Sequence, residues 1–167
     1  MKITGKVWKF PQDDISTGLI RKQMYNHLPF EEQGKHCMES LDPEFAGKAR
    51  PGDIIVAGQN FGSGSSTPAH HSILALGIPV IVAESYGKLF LSNCVSGGLW
   101  PISCSGIVGL VNTGDRIEID TDRWQVRNLA TGKTLQCTPL PVFYREMIEL
   151  GGEKPYLKAR IARGAGG

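Results

Sequence analysis

A glycine-rich loop between an apolar run and a short helix constrains this chain more than any other feature. The run Ile54–Ala57 is continuously apolar and predicts a buried strand. Residues 69–76 predict the helix that follows. The loop between them contains three glycines, which allow positive φ angles and let a ligand approach the backbone closely. These are Gly58, Gly62 and Gly64.

The end of this loop has the residues of a helix start. Ser65, Ser66 or Thr67 could act as the N-cap, and Pro68 suits the first helical position. Free backbone N–H groups at a helix start, together with the helix dipole, favour a carboxylate or a phosphate. An ordinary capped loop without a ligand is the alternative, although it leaves the three glycines unexplained.

The order of the predicted elements indicates a mixed α/β fold. A second apolar run, 78–83, follows the helix and completes a β-α-β unit, whose strands should be parallel with a right-handed crossover. A first strand over 2–8 precedes this unit, and a further helix over 86–95 follows it. Alternating segments and a hairpin turn then predict an antiparallel meander and a closing helix, over 114–120, 124–128, 134–137 and 141–150.

The chain of 167 residues is predicted to form a single domain, 1–167. Residues 10–50 are irregular, polar and rich in proline, so they predict a long, partly mobile loop with at most a short helix over 31–41. The basic, glycine-ended tail, 158–167, is predicted to be disordered.

Composition excludes several classes of function. The chain is 41% apolar and 20% charged, as soluble globular proteins are, and its net charge of +2 gives no reason to expect a nucleic acid or a membrane as a partner. No apolar run approaches the ~20 residues of a membrane span, and the start of the chain does not resemble a signal peptide. A cytoplasmic location is therefore expected.

The four cysteines are scattered, at 37, 94, 104 and 137, with no C-x-x-C pair and no zinc-ligand spacing to a histidine. No metal or iron–sulfur cluster is therefore expected in this chain alone. Other catalytic motifs fit poorly. The segment 62–67 resembles a dinucleotide fingerprint but ends in threonine, and a serine-hydrolase elbow is absent.

Residues 58–66, G-Q-N-F-G-S-G-S-S, resemble the signature of the swivelling domain of the aconitase superfamily. The segments 35–45 and 48–58 closely resemble the small subunit of 3-isopropylmalate dehydratase, and so do 84–93 and 149–152. This resemblance spans residues 5–157 and implies a three-layer β/β/α swivelling domain with a mixed sheet.

The resemblance also implies an activity. Members of this family are hydro-lyases that dehydrate and rehydrate a hydroxy acid, here 3-isopropylmalate or a related substituted malate. It implies that a separate large subunit is the partner and holds the [4Fe–4S] cluster, which acts as the Lewis acid. Ser65 would then be the catalytic base, and Gly64 and Ser66 would help to bind the substrate carboxylate. A subunit that only assembles the complex or binds substrate, without catalysing, is the alternative.

Two departures from the family pattern affect anion binding. After the two serines the family has S-S-R-E-H, whereas this chain has Thr67 where the arginine would be. A second family arginine corresponds to Lys88. Thr67 and Lys88 are thus the predicted substrate-binding positions, and the altered grip predicts slow turnover of 3-isopropylmalate and citrate. The segment 25–32 is expected to lie over the active site, to contact the variable group of the substrate, and to order only against the partner.

Overall fold

Strand β1 (Lys2–Phe10) is the central strand of the sheet and joins its parallel half to its antiparallel half. A computed structural model describes residues 1–64 and 67–165. On one side β1 runs parallel to β2 (Ile54–Ala57), with Val7 opposite Ile54. On the other side it runs antiparallel to β5 (Arg116–Asp120).

The remaining strands are β3 (Val80–Ala83), β4 (Trp100–Ser103), β6 (Gln125–Asn128) and β7 (Thr134–Gln136). The described residues form one seven-stranded sheet of order β4-β3-β2-β1-β5-β6-β7. Strands β1 to β4 are parallel, and β1, β5, β6 and β7 are antiparallel, which confirms the predicted parallel core followed by a meander. Pro101 lies on the edge strand β4, where its missing N–H can be tolerated.

Two apolar cores flank the parallel half of the sheet and make the fold three-layered. Alternate residues of β2 and β3, such as Val56 and Val82, pack with Ile119 and Val126 of the antiparallel half, so the sheet curls over its own face. The intervening residues face a second core, which includes side chains from the helices. This arrangement confirms the predicted three-layer β/β/α fold with a mixed sheet.

The segment 10–50 contains more helix than the sequence predicts. Three one-turn helices occur there, together with 3₁₀ turns at Gln23–Tyr25 and Gly34–His36. The helix predicted over 31–41 is wrong in extent, because Met38 takes a positive φ of 58° and its N–H donates to the carbonyl of Ile20. The one-turn helices are α1 (Thr17–Ile20), α2 (Phe30–Gln33) and α3 (Phe45–Lys48).

The helix after the glycine-rich loop begins later than predicted. Helix α4 (His70–Ala75) has Ala69 as its N-cap, so Thr67 is not the cap and Pro68 is not the first helical residue. The reason is a tight turn before the helix, in which the Ala69 N–H donates to the carbonyl of Thr67 at 2.7 Å. Ser65 and Ser66, the other predicted caps, lie outside the described residues.

The C-terminal segment is helical where the sequence predicts disorder from residue 158. Helix α8 (Glu153–Ala165) extends through most of it, because glutamate, lysine, leucine, alanine and arginine are good helix formers and Tyr156 is buried. Residues 166–167 lie outside the described residues. The other helices are α5 (Lys88–Gly97), α6 (Ile107–Leu110) and α7 (Val142–Glu149).

Candidate active site

Three loops meet at the carboxyl edge of the parallel strands, the edge at which open α/β sheets usually bind ligands. They follow β1, β2 and β3, and the glycine-rich loop is the middle one. Single bridges join Ser63 to Ser16 on one side and Phe61 to Tyr86 on the other. The glycine-rich loop is therefore held by backbone contacts along both sides.

The loop after β1 holds the glycine-rich loop with polar groups as well as with backbone. The Gly62 N–H donates to the carbonyl of Ile15 at 2.7 Å. Oδ1 of Asp13 accepts a hydrogen bond from the Gln59 N–H at 2.7 Å, and Oδ1 of Asp14 accepts one from Nδ2 of Asn60 at 2.9 Å. The turn that contains Asp13 and Asp14 thus joins the loop after β1 to the glycine-rich loop.

The loop after β3 fixes the other side. The Phe61 N–H donates to the carbonyl of Ser85 at 3.0 Å, and the Gly87 N–H donates to the carbonyl of Phe61 at 2.9 Å. The Ser85 hydroxyl accepts the Asn60 N–H at 2.8 Å. Because Gly87 directly precedes Lys88, these bonds bring the start of α5 to the same edge.

Gly62 is required by the packing of the loop. It has φ of 80°, and a Cβ atom built on it would lie 2.1 Å from Cγ of the buried Phe90. Gly64 also has a positive φ, 95°, but among the described residues a Cβ there would meet only Ser16, at 3.9 Å. The absence of a side chain at Gly62 therefore lets the loop pack against Phe90 in the core, whereas Gly64 is favoured there because its φ is positive.

The structure places the predicted site residues as follows. Gly64 is exposed, and Thr67 is buried with 8% of its surface accessible. Lys88 is exposed as the first residue of α5. A cation at a helix N-terminus opposes the helix dipole, so an anion bound beside Lys88 would offset an unfavourable interaction. Ser65 and Ser66 lie outside the described residues.

Arg21 is a residue near this site that the sequence analysis missed. It directly follows α1 and is completely buried, at 0% exposure. Its Nη1 atom donates to Oε1 of Gln33 and, at 3.4 Å, to the carbonyl of Pro68, while Nη2 donates to Oδ1 of Asn26. Hydrophobic periodicity gave no signal for it, because an arginine in a polar segment is expected to face solvent.

Two histidines at the start of α4 lie close to Arg21. Burial lowers the pKa of His70 to about 4, with smaller contributions from His71 and Arg21. Burial, and then the charge of Arg21, also lowers the pKa of His71. Both imidazoles are therefore neutral at pH 7, and Nδ1 of His70 has no hydrogen-bond partner among the described residues.

The cysteines do not fit an iron–sulfur cluster, which needs several thiolates at one place. Cys37 and Cys94 lie in the core beside the helices, whereas Cys104 and Cys137 lie in the core under the antiparallel strands. All four are buried, and the residues 1–64 and 67–165 contain no group of three side chains suited to a metal ion. Nor does this part of the chain contain a helix long and apolar enough to cross a membrane.

Comparison with known proteins identifies the family. The family model described as the aconitase C-terminal domain matches residues 9–106. A 3-isopropylmalate dehydratase small subunit from Heliobacterium modesticaldum is 39% identical over 165 residues, covering 98% of this chain and 99% of the relative. The chain belongs to the family of 3-isopropylmalate dehydratase small subunits. It is thus the small subunit of an aconitase-type hydro-lyase.

Two further similarities support this family assignment, and a third supports the fold alone. A small subunit named isopropylmalate/citramalate isomerase, from Methanocaldococcus jannaschii, is 39% identical and covers 96% of each chain. A crystal structure of 3-isopropylmalate dehydratase from the same organism has a TM-score of 0.93, with 35% identity and complete coverage of both chains. Thermococcus kodakaraensis aconitase X, with a TM-score of 0.52 and 16% identity, shares the fold.

Proposed function

We propose that this chain supplies the proton-abstracting base and part of the carboxylate grip of a heteromeric dehydratase acting on a substituted malate. The observation that carries the proposal is the fixed seating of the glycine-rich loop between the loops after β1 and β3. Relatives with nearly full coverage are named small subunits of 3-isopropylmalate dehydratase and of isopropylmalate/citramalate isomerase, which supports a hydroxy-acid substrate of this class.

Ser65 is the proposed base. A free serine hydroxyl is too weak an acid to serve as an alkoxide at neutral pH, so the site has to stabilise the negative charge with preorganised donors. Gly64 and Ser66 on either side are proposed to orient the substrate carboxylate, and Lys88 is proposed to add a positive charge from the start of α5. The rigid attachment of residues 59–63 to both neighbouring loops would limit the reorganisation needed when charge develops.

The partner in this proposal is a large subunit that holds the [4Fe–4S] cluster. The cluster would supply Lewis-acid chemistry at the substrate hydroxyl, and the small subunit would supply the base and the carboxylate contacts. The four cysteines of this chain lie in two separate cores and do not form the group of thiolates that a cluster needs, so the proposal assigns the cluster to the partner. We propose that the complex acts in the cytoplasm.

The test is reconstitution with the large subunit, identified as the protein that co-purifies with this chain from its native cells. The Ser65→Ala variant should lower turnover by about 10²–10⁴-fold, the usual effect of losing a general base. Ser105→Ala is the matched control, because Ser105 is exposed and lies outside the three loops. It should leave turnover unchanged.

A second candidate function rests on Thr67. Without the arginine of the family motif, the chain could bind or assemble without catalysing. If Ser65→Ala retains full turnover in the reconstituted complex while Ser105→Ala does too, the base assignment is wrong and the assembly function is supported.

A further inference from the structure

In the part of the chain that the structure describes, the buried guanidinium of Arg21 is paired only with neutral groups. Its partners are the amide oxygens of Gln33 and Asn26 and the carbonyl oxygen of Pro68. Its Nε atom is buried with no hydrogen-bond partner. Among the described residues no carboxylate pairs with Arg21. This is unusual, because a fully buried charged side chain is normally paired with an opposite charge.

A bound anion would stabilise the buried charge of Arg21. Burial lowers the pKa of Arg21, and no carboxylate within 1–64 and 67–165 offsets that effect. An arginine nevertheless stays protonated at neutral pH. Hydrogen bonds between a guanidinium and a carboxylate are roughly twice as strong as bonds between neutral groups, and they are often bidentate. A carboxylate at this position would satisfy both the charge and the free Nε–H.

The location of Arg21 connects it to the predicted substrate grip. Its Nη1 atom lies 3.4 Å from the carbonyl of Pro68, the residue after Thr67. Thr67 occupies the position of the family arginine. The chain therefore lacks a guanidinium on the glycine-rich loop but has one directly beside the same stretch of backbone, attached to a different segment.

We propose that Arg21 binds a carboxylate of the substrate and takes over the role of the arginine that the family motif has at the position of Thr67. This inference rests on the proposed function, since it names a substrate contact of the same site. The ligand carboxylate would replace the amide oxygens of Asn26 and Gln33. Asn26 directly follows the 3₁₀ turn Gln23–Tyr25, and Gln33 ends α2, so the exchange requires the segment 23–36 to shift and leaves the sheet in place.

A purely structural function for Arg21 makes a different prediction. In that case the residue ties the segments 23–36 to Pro68, and its loss lowers stability without a specific effect on anion binding. A positive charge restored at Thr67 would then restore nothing, because it would not rebuild the contacts with Gln33 and Asn26.

The experiment uses the chain reconstituted with its large subunit and compares Arg21→Gln, Arg21→Lys and the double variant Arg21→Gln/Thr67→Arg. Arg116→Gln is the control, because Arg116 is exposed on β5. We expect Arg21→Gln to lower kcat/KM for the best hydroxy acid by about ten- to a hundredfold, mainly through KM. Arg21→Lys should lose less, and the double variant or added guanidinium ions should recover at least a third of the loss on a logarithmic scale.

Two results would overturn the inference. One is a KM within twofold of wild type for Arg21→Gln; the other is a loss that neither the double variant nor guanidinium recovers. If the complex turns over no hydroxy acid, the proposed function fails by itself, and calorimetric titration of the same complex with malate then tests Arg21. Binding weakened at least tenfold by Arg21→Gln but not by Arg116→Gln supports the inference, whereas equal binding, or none to wild type, contradicts it.

Discussion

His70 shows at the scale of one residue how burial is converted into a dependence of stability on pH. Its imidazole is buried beside His71 and Arg21, and its pKa is lowered from 6.5 to about 4. In the unfolded chain the same imidazole takes up a proton near pH 6.5, so protons favour the unfolded state. The contribution of the neutral, buried His70 to the free energy of unfolding is therefore complete above pH 6.5, and it is lost as the pH falls towards 4.

We predict that the free energy of unfolding falls by about 2 kcal/mol from this group alone between about pH 7.5 and about pH 5. His71 acts in the same direction, because its pKa is lowered as well. Urea denaturation across this range measures the effect. His70→Gln should flatten the profile, while His27→Gln, which changes an exposed histidine, should not. Equal slopes for all three proteins would contradict the prediction.

Gly62 gives the second prediction at this scale. Gly62→Ala would place Cβ 2.1 Å from Phe90 in a backbone conformation that is unfavourable for alanine. We expect the free energy of unfolding to fall by at least about 2 kcal/mol, from backbone strain and overpacking together. Gly109→Ala is the control, since a Cβ at Gly109 meets nothing within 4 Å. Chemical denaturation that shows the same stability for both variants would contradict this account of the loop.

At the scale of an element, helix α8 is attached through its first half. Tyr156 is buried and accepts a hydrogen bond from Arg160 at 2.9 Å, and its ring packs near Phe143 of α7. Beyond it the helix is mostly exposed, and Ile161 is 71% accessible. The first half should therefore dock the helix, and the second half should contribute little to stability.

We predict that Tyr156→Ala lowers the free energy of unfolding by about 3 kcal/mol, as large aromatic deletions in cores do. Ile161→Ala, in the same helix, should change it by less than about 0.5 kcal/mol. Thermal or urea denaturation distinguishes the two, and hydrogen exchange should show that Tyr156→Ala frees the whole of α8. Equal costs for the two variants would mean that α8 is held along its full length.

At the scale of the whole molecule, we expect the proposed relocation of the positive charge from position 67 to Arg21 to determine which hydroxy acids fit. Because Arg21 belongs to a different segment from Thr67, its guanidinium would hold a carboxylate at a different position from the family arginine, and Lys88 lacks the planar fork of the second arginine. We predict that the reconstituted enzyme handles 3-isopropylmalate and citrate with a kcat/KM about ten- to a hundredfold below that for its best substrate. Steady-state kinetics on a panel of substituted malates is the measurement.

The best substrate should have one anionic group fewer than 3-isopropylmalate or citrate, or should be held mainly by the large subunit. Isolated small subunit serves as the blank and should show no turnover and no iron–sulfur absorbance. If 3-isopropylmalate or citrate is the best substrate with an ordinary kcat/KM, the prediction of altered carboxylate binding is wrong. Thr67 is then a local change that another residue fully compensates.

The sequence alone determined the parallel β-α-β unit, the antiparallel meander and the glycine-rich loop. Continuous apolar runs, alternation and glycine placement are local signals, and the physics behind them acts over a few residues. The family motifs added the three-layer arrangement and the expected serine base. None of these depended on knowing which distant residues touch.

Only the tertiary structure decided how far the helices extend and where the buried charge lies. The start of α4 depends on a turn at Thr67, and α8 depends on the burial of Tyr156 against α7. Arg21 is polar in a polar segment, and its burial results from contacts with Gln33 and Pro68, residues 12 and 47 positions away. Such contacts follow from long-range packing, which no local pattern of hydrophobicity encodes.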